Sequence, residues 1–468
     1  MYTMENSLEL VDSKEKLQIH NFESAKQFLF ERLQDSDKKL FGRERGIVRT
    51  EAWLESLGNP QESFPSVHIA GTSGKGSTAY LMSALLKASQ QTVGTITSPH
   101  VYDVRERLLI DGNYITQDEF TKRAKDIIKP IARLEQTKLG RPTYFEVLVG
   151  MAHKCFADHT VNYAVVETGI GGRFDSTNTI KRDDKLAIIT RLGIDHTEIL
   201  GKTPGAIAWQ KAGIIPTNGH SIALLPDNMQ AQEVIEQVAK ARNSTIDFLD
   251  TRQMISNLHQ TTDGLTFDYQ FAELTVRNIK IPTLGIYQAE NACLAISALK
   301  YLSQRDGFEF NETTIKEGLS GVHIPARAEI AKFNGTTVII DSSHNPQKLQ
   351  AFFSTVESLK LPVKPLVVFS AKQAKDWEAS IPTLNTNAEE IFVTGFFLNQ
   401  PGHLQKYSAD PDKIASKIRK LGGRARAFNS PTQALSQAIN QSKPNQPVII
   451  TGSMYMLGEL HDHLRLLS

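Results

Sequence analysis

Residues 66–89 read SVHIAGTSGKGSTAYLMSALLKAS, and the reading of this stretch decides the fold. The apolar run Val67, His68, Ile69, Ala70 leads into Gly71, Gly74 and Gly76, and a helical pattern opens at Ser77. Strand, glycine turn and helix in that order make a phosphate cradle. Glycines let successive N–H groups turn toward one anion, the helix N-terminus adds partial positive charge, and Lys75 adds a full one. Gly71, Thr72, Ser73, Gly74, Lys75, Gly76 and Ser77 are therefore the expected nucleotide contacts, with the Ser77 hydroxyl facing Mg²⁺. Gly76 separates Lys75 from Ser77, whereas the usual P-loop sets the lysine directly before the serine or threonine.

Further along, the β-type run TVGTIT ends at Ser98, and YAVVETGIGGRFDSTN places Glu167 where an apolar strand gives way to glycines. KLAIITRLGIDHTEILG repeats that pattern with Asp195 and His196. A strand-end glutamate and a strand-end histidine at adjacent strand ends, beside a phosphate loop, fit a hard-cation site. KTPGAIAWQKAGI reads as a helix of about ten residues opening at Pro204, with Lys211 near its end. Taken alone, Lys211 is a surface lysine complementing the helix dipole.

The chain of 468 residues is long for one core and suggests two domains, 1–320 and 326–468, joined by 321–325 within the turn-rich GLSGVHIPAR. A net charge of +1 gives no reason to expect nucleic acid or an anionic membrane as partner. Cys155 and Cys293 are too few and too far apart for a disulfide framework or a zinc cluster. The N-terminal residues lack the apolar core of a signal peptide, and no later run is long enough to cross a bilayer, so a cytoplasmic enzyme is expected. One long helix is expected from Asp118 toward Leu134, antiparallel strands from Asn257 to Pro282, and an amphipathic helix over QAENACLAISALKYL. The second half alternates strands and helices, as a smaller parallel sheet requires.

Taken together, HIAGTSGKGST, TSPHVYDVRERLLIDG, VETGIGGRFDSTN, DHTEILGKTPGAIAWQKAGI, GIYQAENA, IPARAEI, IDSSHNP and GSMYMLGEL resemble the folylpolyglutamate synthase and dihydrofolate synthase family of the Mur ligase superfamily. The resemblance runs over about residues 22–462 in the family's order. It implies an α/β fold of two domains, a P-loop ATPase domain with a mostly parallel sheet and a smaller Rossmann-like C-terminal ligase domain. It also implies an ATP-dependent ligase that adds L-glutamate to the γ-carboxylate of a folate's glutamate tail, or to dihydropteroate; apart from the resemblance, a monomer is expected.

By the same resemblance Gly74, Lys75, Gly76 and Ser77 hold the triphosphate, with Ser77 on the first of two Mg²⁺ ions. Ser98, Glu167 and His196 hold the second, and Lys211 matches a lysine that is often carbamylated. Asn291 matches the adenine contact, Arg327 the phosphate contact, Asp341 the ribose contact, and His344 a residue where glutamate enters. Arg107, Phe145, Asp175, Ser453 and Tyr455 fall on the substrate side. This chain has Ser73 where the family usually has Asn, Tyr287 for a frequent His, Ala326 for a frequent Gly, and Ser342-Ser343 for Gly-Ala. A Mur-type ligase for a cell-wall acceptor, and a nucleotide-binding relative without turnover, are the competing readings; TSPHVYDVRERL favours folate over the first, and retained Lys75, Glu167, His196 and Lys211 oppose the second.

Overall fold

The computed structural model describes residues 19–31, 44–333, 335–373, 376–398 and 406–467. The first sheet is built from β1 (Ser66–Ala70), β2 (Val93–Ile96), β3 (Leu109–Ile110), β4 (Asn113–Tyr114), β5 (Tyr163–Glu167), β6 (Leu186–Ile189), β7 (His220–Leu224) and β8 (Thr245–Leu249). Its order is β4-β3-β2-β5-β1-β6-β7-β8. β1 is buried along its whole length and lies parallel between β5 and β6, with Val67 opposite both Val165 and Leu186. The β3–β4 hairpin turns at Asp111 and Gly112, both left-handed, which matches the twist of the flanking strands. A parallel sheet opens its crevice at the strands' C-terminal ends, and here the ends of β2, β5, β1 and β6 stand side by side.

Strands β9 (Ile255–Thr261), β10 (Gly264–Phe271) and β11 (Leu274–Ile281) form the expected antiparallel meander. Between it and the first sheet runs the helix Ile286–Asp306, which is not amphipathic in the expected way. Gln288, Ala289, Asn291, Ala292, Cys293, Leu294, Ala295 and Ile296 are all buried, because this helix packs on the phosphate-loop helix, on β7 and on the meander. Small residues on every side allow that close approach. The long helix expected from Asp118 is two, Gln117–Asp126 and Ile128–Glu135. Pro130 has no N–H for the carbonyl one turn back, and the ladder breaks at Ile127.

The last helix before residue 321 ends at Ser320, and β12 (Glu329–Phe333) opens the next sheet. With β13 (Thr336–Ile340), β14 (Leu366–Phe369), β15 (Glu390–Thr394), the short ribbon β16 (Phe397–Leu398) and β17 (Lys406–Tyr407), then β18 (Ala425–Phe428) and β19 (Val448–Thr451), the strand list is complete among the described residues. The larger sheet here runs β12-β13-β19-β14-β15-β18. It is parallel except for β12, which pairs antiparallel with β13 at the edge. No helix among the described residues is long and apolar enough to cross a membrane.

The core holds two histidines whose rings are fully buried, His68 on β1 and His153 on the helix Tyr144–Asp158. Neither ring nitrogen of His153 has a hydrogen-bond partner among the described residues, and the ring stacks on Phe64 at 6.0 Å. Burial pushes His153 down to about 3 and His68 well below the usual imidazole value; for His68, Lys185 and His153 add to the effect. The unfolded chain binds these two protons below about pH 6.5 and the folded chain refuses them, so stability is intact above that pH and falls as pH drops. The expected slope is about 1.4 kcal/mol per pH unit for each histidine. Urea unfolding between pH 7.5 and 5 should show it, and His153→Leu should make the slope shallower; an equal slope in the variant would rule His153 out.

Candidate active site

The phosphate loop is tied down before any anion arrives. Thr72 and Ser73 N–H both donate to the Arg191 carbonyl at 3.0 and 3.2 Å, and Thr190 Oγ1 donates to the Ser73 carbonyl at 2.7 Å, fastening the loop to the end of β6. The helix Lys75–Ala88 starts from Gly74, which has φ 90° and, having no side chain, caps nothing. Its first-turn N–H groups are thereby left for a ligand, whereas the helices starting at Phe22, Gln117, Tyr144, Pro204 and Met229 each carry an Asn or Thr cap. A Cβ on Gly74 would lie 2.4 Å from Asn291 Oδ1. Glycine is therefore required here both by the backbone and by the neighbour, and Asn291, held by its Nδ2 donating to Gln288 Oε1 at 3.0 Å, sits against the loop.

Glu167 ends β5 and is buried, and its Oε2 accepts the Ser98 N–H at 2.8 Å. The same oxygen would lie 3.3 Å from a Cβ on Gly76, so Ser98, Glu167 and the loop form one group. Burial raises the Glu167 carboxyl, while Lys75, the Ser98 N–H, Arg327 and Arg107 oppose that shift. His196 stands apart. The strands expected to be adjacent, β5 and β6, are separated by β1, and His196 follows β6 by several loop residues. Its side chain is 49 % exposed and lies 3.6 Å from Asp195 Oδ2.

Lys211 is no surface lysine. Its residue is 3 % exposed, and its amine falls to about 7, chiefly through burial and then through the charge of Lys75, with Asp175 and Asp195 opposing. Asp175 is itself buried and holds the glycine turn after β5: it accepts from Ile170 N–H at 2.8 Å, Thr177 N–H at 3.0 Å and Thr177 Oγ1 at 2.6 Å. Phe145 packs on the same turn, since a Cβ on Gly169 would come 2.9 Å from its ring. Arg107 donates to His100 Nδ1 at 3.1 Å, and its guanidinium lies 6.0 Å from the Tyr144 ring.

From the second half, Arg327 donates to Ser342 Oγ at 2.6 Å, and its charge reaches Glu167 across the crevice. Asp341 is buried and accepts from Ala328 N–H at 2.9 Å and Ser343 N–H at 2.8 Å. His344 Nδ1 lies 2.9 Å from the Ser342 carbonyl, which can only accept, so Nδ1 carries the proton. Gly452 N–H donates to the Ser343 carbonyl at 2.9 Å, which brings buried Ser453 beside that turn; Tyr455 lies 5.5 Å from the Phe396 ring.

The Mur ligase middle-domain family matches residues 69–299, and the Mur ligase glutamate ligase domain matches residues 326–454. The chain is 30 % identical over 426 residues to the dihydrofolate synthase/folylpolyglutamate synthase of Bacillus subtilis (strain 168), covering 91 % of this chain and 96 % of that protein. This chain belongs to the folylpolyglutamate and dihydrofolate synthase family. It is also 30 % identical to the folylpolyglutamate synthase of Lacticaseibacillus casei, over 88 % of this chain and 92 % of that one. Among solved structures it resembles a Mycobacterium tuberculosis folylpolyglutamate synthase complexed with ADP and AMPPCP, with TM-score 0.76, 28 % identity, and coverage of 93 % and 99 %.

One charged group of this synthase-family crevice escaped the sequence reading. Lys348 lies in the first turn of the helix Pro346–Glu357; it is exposed at the crevice, and partial desolvation there depresses its amine. Arg327 and Lys75 depress it further, while Asp195 and Asp341 oppose, so Lys348 shares the crevice with groups from both halves. A signal was present: a lysine in a helix's first turn faces the positive end of the dipole, an unfavourable place unless an anion is due there.

Proposed function

We propose that the protein is an ATP-dependent ligase joining the α-amino group of L-glutamate to the γ-carboxylate of a folate's glutamate tail, with dihydropteroate as a second acceptor. The observation that carries this reading is the uncapped helix start at Lys75, whose charge acts on buried Glu167 together with Arg327 and on both Lys211 and Lys348. A carboxylate does not react with an amine near neutral pH. ATP transfers its γ-phosphoryl group to the acceptor carboxylate, giving an acyl phosphate and ADP; the glutamate amine then attacks the carbonyl and phosphate leaves. Two anions must meet in the first step, and a site built for that step needs positive charge more than a nucleophile.

In this reading residues 1–320 bind ATP and acceptor, residues 326–468 bring glutamate, and 321–325 join them. Asn291 would contact adenine, Arg327 phosphate and Asp341 ribose, with His344 where glutamate enters. Arg107, Phe145, Asp175, Ser453 and Tyr455 would line the acceptor side. The hydroxyls of Ser77 and Ser98 and the Glu167 carboxylate are hard oxygen donors that suit Mg²⁺, and their closeness to the loop supports that role. Bound there, Mg²⁺ would supply charge neutralisation for the phosphates. His196 would join them only by a turn of its loop away from Asp195. Glu167→Gln is expected to raise the Mg²⁺ concentration needed for half-maximal activity at least tenfold, in line with a lost anionic ligand. An unchanged Mg²⁺ titration in a folded variant would remove Glu167 from the site.

The function is tested by ADP release with L-glutamate and, separately, tetrahydrofolate, dihydropteroate or a UDP-muropeptide as acceptor. Turnover with the folates and none with the muropeptide is expected. Turnover with the muropeptide alone would make the protein a cell-wall ligase, and none with any acceptor would leave only nucleotide binding.

A further inference from the structure

Away from the crevice, two helices bring together three side chains of different chemistry. Cys155 and His159 stand one turn apart at the C-terminal end of the helix Tyr144–Asp158, and Glu119 reaches them from the helix Gln117–Asp126. Glu119 Oε1 is 2.7 Å from His159 Nε2 and 3.7 Å from Cys155 Sγ, and the three atoms all lie within 4.8 Å of one another. Bonds of about 2.0 Å to nitrogen and oxygen and 2.3 Å to sulfur at tetrahedral angles set ligand atoms about 3.3–3.6 Å apart. The cluster is thus within a few tenths of an ångström to about one ångström of a metal's first coordination sphere, with one side open to water. We propose that Glu119, Cys155 and His159 bind one thiophilic divalent cation, Zn²⁺ in the first place, with water as fourth ligand.

Two distant cysteines exclude a multi-cysteine zinc cluster, but one thiolate with an imidazole and a carboxylate is also a zinc donor set. Burial pushes the Cys155 thiol up to about 12, so it carries a proton in the metal-free protein. Binding replaces that proton: the S–H bond breaks, the S–metal bond forms, one proton goes to solvent, and no electron changes hands. The imidazole binds as the neutral ring, its proton moving from Nε2 to Nδ1. Thiolate and carboxylate then balance the ion's two charges. Arg123, which now bonds both Glu119 and Asp158, keeps Asp158 as partner, and Lys154 also pairs with Asp158. Cys155 stands ten residues beyond Phe145 on the helix Tyr144–Asp158, so the site lies about 15 Å or more along the helix from Phe145. The ion would clamp two helices and take no part in ligation.

The test is titration of the purified full chain with Co²⁺, followed by displacement with Zn²⁺. The wild type should develop the charge-transfer absorption of a cobalt–thiolate bond at one ion per chain, and Zn²⁺ should abolish it and raise the thermal midpoint. Cys155→Ser should lose the band. Because that residue is buried, His159→Ala and Glu119→Gln serve as second variants; both should fold, ligate normally and bind at least tenfold more weakly. Cobalt binding without the band, or wild-type affinity in both second variants, would overturn the proposal and leave a hydrogen-bonded helix clamp only.

Discussion

Lys75→Ala is expected to lower ligation at least 10²-fold while the protein stays folded, the order lost when one main electrostatic group is taken from a transition state. Lys75 is half-buried in the first turn of its helix, and the loop is fastened through Thr72, Ser73 and Thr190 rather than through its side chain. The fold therefore does not need it. The chemistry does, because the γ-phosphoryl group and the acceptor carboxylate both bring negative charge. Steady-state turnover with an unfolding curve on the same sample checks this, and wild-type turnover in the folded variant would sink the cradle. A second consequence is separable: Lys75 is one of the charges depressing the Lys211 amine, so its removal should move that amine upward.

Lys211→Ala is expected to be nearly inactive and to recover in part with acetate, whereas Lys211→Arg should stay inactive with or without it. An amine at about 7 is roughly nine-tenths neutral at pH 8, while an ordinary lysine is neutral there in well under one part in a hundred. The neutral amine is the form that adds CO₂, so the burial and the Lys75 charge that disfavour the ammonium promote a carbamate. We propose that this anion, beside Lys75, is the working form of Lys211. Acetate can occupy the position it leaves; the arginine cation cannot imitate it. Bicarbonate dependence of the wild type should be strongest below about pH 7, where the protonated amine resists carbamylation. Near-normal activity of Lys211→Ala would sink the proposal.

How much of this could be read from the chain depends on how local each cause is. The cradle was legible because strand, glycines, Lys75 and helix are consecutive, and the φ of Gly74 is a property of its own residue. Glu167 was legible for the same reason, as the last residue of an apolar run. The break at Ile127 is also local, written in Pro130, although the apolar period runs on through it. The helix Ile286–Asp306 looks one-sided from its own residues, because the meander that covers its second face comes from other parts of the chain.

The sequence by itself determined the class of the fold, the phosphate loop, the strand-end carboxylate and the family, since each rests on residues in order along the chain. Only the tertiary structure decided that β1 stands between β5 and β6, so that Glu167 meets Ser98 and Gly76 while His196 stays with Asp195. It alone decided that Lys211 is an amine held near neutrality and that Lys348 lies in the field of Lys75 from the other half of the chain. The physical reason is common to all three: a charge's state and partners are set by desolvation and by groups brought from far along the chain, and neither is encoded in a residue's neighbours in sequence.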